Sequence, residues 1–253
     1  MRFASLGSGS QGNALIIEAG TTRLMVDCGF GVEETERRLA RLELTAGDLS
    51  GILVTHEHSD HADGALPFAR RHGQRVWMTQ GTATAAGAGT PPNVVIIDSH
   101  APFAVGDLEV WPFPVPHDAR EPVQFVLTDG AARLGVLTDI GGPTRHAEAM
   151  LSGCDGLVLE CNHDSAMLAH GPYPAPLKSR VAGPFGHLAN DAAAALLGAI
   201  DRKHLKHLVA AHLSQTNNRP ELARAALCAV LGCAPEWIGV ADQATGFGWR
   251  SLR

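Results

Sequence analysis

The sequence predicts an α+β fold in which two β-sheets pack face to face and helices cover them on the outside. Three observations predict it. The first thirty residues read as strands joined by Gly/Ser turns, the stretch from Asn93 to Leu137 holds four apolar runs broken by Gly, Pro and Asp, and the remainder alternates helix and strand patterns. With 253 residues, 45% of them hydrophobic, the chain can build one large core, and we read one domain over residues 1–253.

In chain order, "RFASL", "NALIIEA" and "TRLMVDCG" form a β-meander, joined by "GSGSQG" and "GTT". "VEETERRLARLEL" sets Val32, Leu39 and Leu42 among charges, as an amphipathic helix does, and its charged face reads as solvated. "GILVT" is a short buried strand, followed by a helix around "GALPFARRH" and a strand "RVWMT". The runs "VVIID", "LEVWPFPV", "VQFVLTD" and "RLGVLTD" suggest four strands in an antiparallel series. After them come helix "RHAEAMLS", strand "GLVLEC", helix "DAAAALLGAI", strand "HLVAAHLS", helix "PELARAALCAVL" and short closing strands "WIGVA" and "FGWRS". Residues 169–187, with four prolines, read as one long irregular loop, and loops of that length are more often functional than accidental.

The formal charge of −6 and pI near 6.1 exclude a broadly basic, polyanion-coating protein, though not a local basic groove. No window is long and apolar enough for a bilayer span, and the N-terminal residues lack the apolar stretch of a secretory signal, so a cytoplasmic protein with no membrane partner is expected. The five cysteines (28, 154, 161, 228 and 233) form no C-x-x-C pair, and read as reduced small hydrophobes.

The chemistry concentrates in "THEHSDH", directly after an apolar strand. Residues two apart in extended backbone point the same way, so His56 and His58 present imidazoles to one point beyond the strand end. A turn at Ser59 lets Asp60 and His61 converge on a second point nearby. A lone histidine is most often exposed in a loop or satisfied by hydrogen bonds; four such groups in six residues reverse that reading. More ligands are needed, and His117 in "FPVPHDA", Asp139 in "GVLTDIGG" and His212 in "LVAAHLS" each stand where an apolar strand gives way to a loop.

This H-x-H-x-D-H pattern, followed in order by a lone His, a "TD-x-G" Asp and a final His, resembles the metallo-β-lactamase-fold hydrolases over nearly the whole chain. The strings "SLGSGSQGNA", "VPHDA", "LTDIG", "LECNHD", "LKSRVAGPFGHLAND" and "HLSQTNN" are similar to the YycJ/WalJ-type group, related to nucleases such as ribonuclease J and the tRNA 3′-processing ribonuclease. The resemblance implies a four-layer αββα sandwich with a two-metal site at the sheet edge, and 5′→3′ exonuclease action on DNA. It implies that His56, His58 and His117 hold one metal and that Asp60, His61 and His212 hold the other, with Asp139 bridging. Imidazole and carboxylate ligands without Cys suit zinc or manganese.

Two such metals, about 3.5–4 Å apart, activate water at neutral pH and neutralise a phosphodiester's non-bridging oxygens, which makes phosphodiester hydrolysis the natural reaction. Asp60 could orient the attacking water or accept its proton. His187 in "GHLAND", or else His163 in "ECNHD", would protonate the leaving oxygen; either could instead be a structural loop histidine. "GSGSQGN" lacks the ending of a phosphate-cradling P-loop and reads first as a hairpin turn, with Ser8 or Asn13 placed to touch a substrate phosphate. Asp27 is expected to orient the histidine loop, with Glu160, Asn162 and Asp164 in similar supporting parts. Lys178 and Arg180, with Arg120 and Arg219, could grip a nucleic-acid backbone without reading bases.

The alternatives are a hydrolase of a small phosphodiester or nucleotide-derived metabolite, a thioester or lactam hydrolase, and a non-enzymatic scaffold. All seven expected ligands are present, which argues against the scaffold. Asp139 and His212 lie 73 positions apart, too few for the inserted nucleic-acid-clamping domain of ribonuclease J-type enzymes. A second copy in a homodimer, or another protein, would then supply the clamp.

Overall fold

The computed structural model describes residues 1–87 and 93–252. The first part of the chain supplies β1 (Arg2–Gly7), β2 (Ala14–Ala19), β3 (Thr22–Val26), β4 (Gly51–Leu53), β5 (Val76–Thr79) and β6 (Val94–Ile97) to one sheet. The second sheet takes β7 (Phe103–Val105), β8 (Leu108–Pro114), β9 (Val123–Thr128), β10 (Arg133–Leu137), β11 (Gly156–Glu160), β12 (His207–Ala211) and β13 (Gly239–Val240), and β14 (Phe247–Ser251) returns to the first sheet beside β1. The orders are β14-β1-β2-β3-β4-β5-β6 and β13-β12-β11-β10-β9-β8-β7. The expected meander is present, since β1–β2 and β2–β3 pair antiparallel.

Period-two alternation explains why the central strands are apolar on every residue: both faces are buried. In β3, Leu24 and Val26 enter the core between the sheets while Met25 faces the first helical layer. In β11 and β12, Val158, Val209 and Ala211 enter the inter-sheet core, and Leu157, Leu159, Leu208 and Ala210 face the second helical layer. Helices Val32–Ala40 and Ala65–His72 cover the first sheet through Leu39 and Phe68. Helices Arg145–Leu151, Asn190–Ala199 and Pro220–Leu231 cover the second through Leu151, Leu196, Leu197 and Leu227. The result is helix, sheet, sheet, helix, as the sequence reading expected. No helix among the described residues is long and apolar enough to cross a membrane.

Three details differ from the sequence reading. "VVIID" does not join an antiparallel series: β6 pairs parallel with β5 in the first sheet. The short strand β7, which was not among the expected strands, appears ahead of β8. The segment 169–187 is not irregular throughout but holds helix Ala175–Val181, with Pro174 at its N-cap and Pro176 in its first turn, where a missing N–H costs no intrahelical bond.

What positions the site is the mixture of strand directions. Strands β3, β4 and β5 run parallel in one sheet, and β10, β11 and β12 run parallel in the other. Loops from the carboxyl ends of β3, β4, β10, β11 and β12 meet at one edge of the sandwich, the position where open parallel sheets bind ligands.

Candidate metal centre

The seven side chains expected to act together do meet. His56, His58 and His117 bring one ring nitrogen each within 4.8 Å of the others, as do the ligand atoms of Asp60, His61 and His212. Asp139 lies between these groups, sharing one such cluster with His56 and His61 and another with Glu160, His187 and His212. Three of the four positive-φ non-glycine residues among the described residues are Asp27, Asp139 and His212, at φ of 62°, 56° and 56°. Each follows the end of β3, β10 or β12, so a left-handed turn at the strand terminus swings its side chain into the shared edge.

Hydrogen bonds settle which ring nitrogens are free. The buried Asp27 carboxylate accepts from the Thr55 amide at 2.8 Å, the Thr55 hydroxyl at 3.0 Å and His61 Nδ1 at 2.7 Å. With its proton given to Asp27, the Thr55 oxygen accepts from His56 Nδ1 at 2.9 Å. His117 Nδ1 donates to the Gly186 carbonyl at 2.9 Å. The Nε2 lone pairs of His56 and His117 are therefore aimed at His58 Nδ1, at 3.1 and 3.2 Å. The Nε2 of His61 faces Asp139 Oδ2 at 2.8 Å, and that buried oxygen has no neighbouring donor among the described residues other than this ring. Converging lone pairs on the protein-held rings of His56, His58 and His117, with buried carboxylates nearby, are the electronic situation that a divalent cation relieves. The residues present fit metal binding.

The two groups hold protons differently. Burial, with His61 nearby, pushes His56 well below the usual histidine range, and burial also lowers His117. Burial opposes charge on His61 as well, but Asp139 and Asp27 outweigh it and raise His61 well above its ordinary value. His212 rises to about 9 because, against burial, Asp139 and Asp60 favour its charged form. His187 donates Nδ1–H to Glu160 at 2.8 Å and lies 2.9 Å from Asp139; these bonds overcome burial and raise it to about 11. Asp60 and Asp139 are held below the carboxylate range by the histidines beside them, although burial alone would raise both.

Glu160, also fully buried, accepts from the amides of Ile140 and Leu188 at 2.9 and 3.1 Å, pinning the loops that carry Asp139 and His187. Asn162, expected in a supporting part, donates to the His212 carbonyl at 3.1 Å. Beside the cluster opens a cavity of about 330 Å³, lined by Asp60, Asp139, His187 and His212 together with Tyr173, Leu177 and Val181.

Several sequence-predicted contacts fall elsewhere. Ser8 and Asn13 do not face the cavity: Ser8 Oγ accepts from the His212 amide and donates to Asn13, whose amide group reaches Asp60 and His61. Their polar atoms are spent on buttressing the centre. Lys178 is turned away, donating to the Ala169 carbonyl at 2.7 Å, whereas Arg180 does line the cavity and pairs with Asp118 at 2.6 Å. Arg120 is exposed outside the cavity lining, and Arg219 borders a neighbouring cavity instead. His163 is buried against Asn162 and does not line the cavity. Asp164 caps the helix Ser165–His170. The reading missed Asp118, Thr55 and the Gly186 carbonyl. Asp118 and Thr55 each adjoin a site histidine in sequence and were legible on that ground; a backbone carbonyl leaves no signal.

A profile of the beta-lactamase superfamily domain matches residues 22–212. The chain belongs to the metallo-β-lactamase superfamily. Within it, the chain is 36% identical to the exodeoxyribonuclease YycJ of Bacillus anthracis, over 91% of this chain and 89% of that one. It is 30% identical to the exodeoxyribonuclease WalJ of Streptococcus pneumoniae over 94% and 91%. Among solved structures, the metallo-β-lactamase fold protein YhfI of Bacillus subtilis superposes with a TM-score of 0.75 at 14% identity, each chain covered over 99%. Human tRNase Z, short form, superposes at 0.69 and 17% identity over both whole chains. These likenesses show the shared fold.

Asp27→Asn should leave the protein folded but weaken metal binding by about 10- to 100-fold, because one oxygen of the acceptor that orients His61 and Thr55 is lost; competition with a chromogenic chelator measures it. Metal uptake near neutral pH should also expel protons from His61 and His212, so apparent affinity should rise with pH toward about 9. Calorimetry in buffers of different ionisation enthalpy reads the release, and an uptake independent of buffer and pH would contradict it.

Proposed function

We propose that this chain is a dinuclear-metal phosphodiesterase acting on DNA, as a nuclease that works from strand ends. The observation that carries the reading is the meeting of the His56–His58–His117 group and the Asp60–His61–His212 group around Asp139 beside an open cavity, with a guanidinium, that of Arg180, held there by Asp118. Similarity to relatives named exodeoxyribonucleases supports DNA as the substrate and action from its ends, and the 5′→3′ polarity is what the sequence resemblance implies. His56, His58 and His117 would hold one ion and Asp60, His61 and His212 the other, with Asp139 between them, and zinc and manganese both suit this donor set. When bound, the ions supply Lewis acidity toward water and toward a phosphoryl oxygen.

The chain's own groups divide the remaining work. Asp60 Oδ2 is taken up by His212 Nε2 at 3.2 Å and by Asn13, which leaves its other oxygen to orient the attacking water and receive its proton. His187, with Nδ1 committed to Glu160, turns Nε2 toward the cavity as the donor for the leaving oxygen. Arg180 grips a non-bridging or neighbouring phosphate oxygen, its position set by Asp118. With no inserted clamping domain in this reading, a partner protein or a second copy would extend the grip on the strand. The cavity volume, at the small end for ligand sites, gives hydrolysis of a small phosphodiester as a second reading.

Metal-reconstituted protein incubated with end-labelled single- and double-stranded DNA and RNA should shorten DNA from one end, and His58→Ala should abolish the activity. Hydrolysis of bis(p-nitrophenyl) phosphate with every polynucleotide left intact would favour the small-substrate reading. His187→Ala should lower kcat by about 10²- to 10⁴-fold with metal content unchanged by elemental analysis; loss of metal in that variant would assign His187 to the metal site instead.

A further inference from the structure

The cavity lining is of two kinds. His58, Asp60, Asp139 and His212 stand in it with Ser10, Ser59 and Ser214, and Tyr173, Leu177 and Val181, all half-buried, give it an apolar part. Leu177 and Val181 are one turn apart on helix Ala175–Val181, and Tyr173, just ahead of its N-cap Pro174, lines the same cavity. A phosphate and a divalent metal have no use for an apolar wall. A substrate that fills the cavity must therefore present an apolar face within reach of its phosphate.

Tyr173 is the chain's single tyrosine, and it lies between Pro172 and Pro174. Each proline fixes its own φ, and Pro174 also restricts Tyr173, so the ring is carried on backbone with little freedom to lose on binding. The segment is tied down on both sides. Gly171 packs where any Cβ would meet Asn217 Oδ1 at 2.6 Å, and the His187 amide donates to the Val181 carbonyl at 2.8 Å. The ring is thus held on constrained backbone in the lining of the cavity that Asp60, Asp139 and His212 also line.

We propose that Tyr173 stacks on the nucleobase that flanks the scissile phosphate, so that the site selects phosphodiesters bearing an aromatic base without reading which base it is. The inference rests on the nuclease reading above and names the recognition element that reading lacks. Stacking on an aromatic side chain is tolerant of sequence because every base has a π-face. It would also explain how one cavity of about 330 Å³ serves successive, chemically different nucleotides.

The test compares wild type, Tyr173→Ala, Tyr173→Phe and Tyr173→Trp on oligonucleotides that are intact or abasic at the terminal or penultimate position. Tyr173→Ala should raise KM on intact DNA by about 5- to 150-fold with kcat little changed, and the Phe and Trp variants should retain wild-type behaviour. The abasic substrate should show the same loss with wild type, and Tyr173→Ala should add nothing to it. In a metal-loaded His187→Ala background, where turnover is slow, 2-aminopurine at the flanking position should be quenched on binding, and much less so once Tyr173 is also Ala. A Tyr173→Ala penalty equal on intact and abasic DNA, or a failure of Phe to rescue, would overturn the inference while leaving the nuclease reading in place. Wild-type protein that hydrolyses bis(p-nitrophenyl) phosphate but no oligonucleotide would overturn both.

Discussion

The rest of the site depends on one buried anion having neighbours from both sheets. Asp139 is 1% exposed at the end of β10, and an ionised carboxylate so placed costs several kcal/mol unless charge and hydrogen bonds surround it. Its compensation comes from across the molecule: His61 is carried by the loop after β4, His212 by the end of β12, and His187 by the segment after the proline-rich helix. No local piece of chain could supply them together. Stability of the carboxylate and assembly of the donor groups are thus the same event, and the sandwich must close before either exists.

The strain is placed where the same logic requires it. Left-handed backbone at a non-glycine residue costs about 1–3 kcal/mol, and Asp27, Asp139 and His212 all adopt it one or two residues beyond a strand end. An extended continuation would carry each side chain onward along its strand, away from the shared edge. Asp27 recovers part of that cost through three donors, Asp139 through the histidines, and His212 through the Ser8 hydroxyl on its amide and Asn162 on its carbonyl. Polar residues from the first hairpin are therefore spent on geometry. This is why Ser8 and Asn13, which read as substrate contacts, are buried in the scaffold of the site instead.

Much of the site was legible because its chemistry is written at strand ends. His56 and His58 are two apart in extended chain, and His117, Asp139 and His212 each follow an apolar run, so local sequence carried both residue type and placement. The four-layer fold was legible for a similar reason, since strands buried on both faces leave unbroken apolar runs. Pairing partners were not: "VVIID" looks the same whether it joins β5 in parallel or opens the second sheet, and only long-range packing decides. The helix Ala175–Val181 was hidden because prolines read as breakers, although Pro174 and Pro176 occupy positions where a helix start tolerates them. Lys178 and Arg180 could not be separated in sequence. Two residues along a helix is a rotation of about 200°, so one faces the cavity and the other its own segment.

That helix also explains how a centre so thoroughly buried remains usable. His56, His61, Asp139, Glu160 and His212 are all nearly inaccessible, and a cluster closed on every side could hold ions but admit nothing to react. The proline-rich segment supplies part of the cavity lining beside the donors, joined to residues 117 and 118 by the Arg180–Asp118 pair and by the Gly186 carbonyl on His117. Both links end at residues 117 and 118, so the strand end that supplies one donor also fixes the width of the cavity above it. The same peptide segment thereby sets the free nitrogen of His117 and the place of Arg180. A change in this segment would alter substrate fit and donor geometry together, which is the physical reason to expect the wall and the centre to behave as one unit.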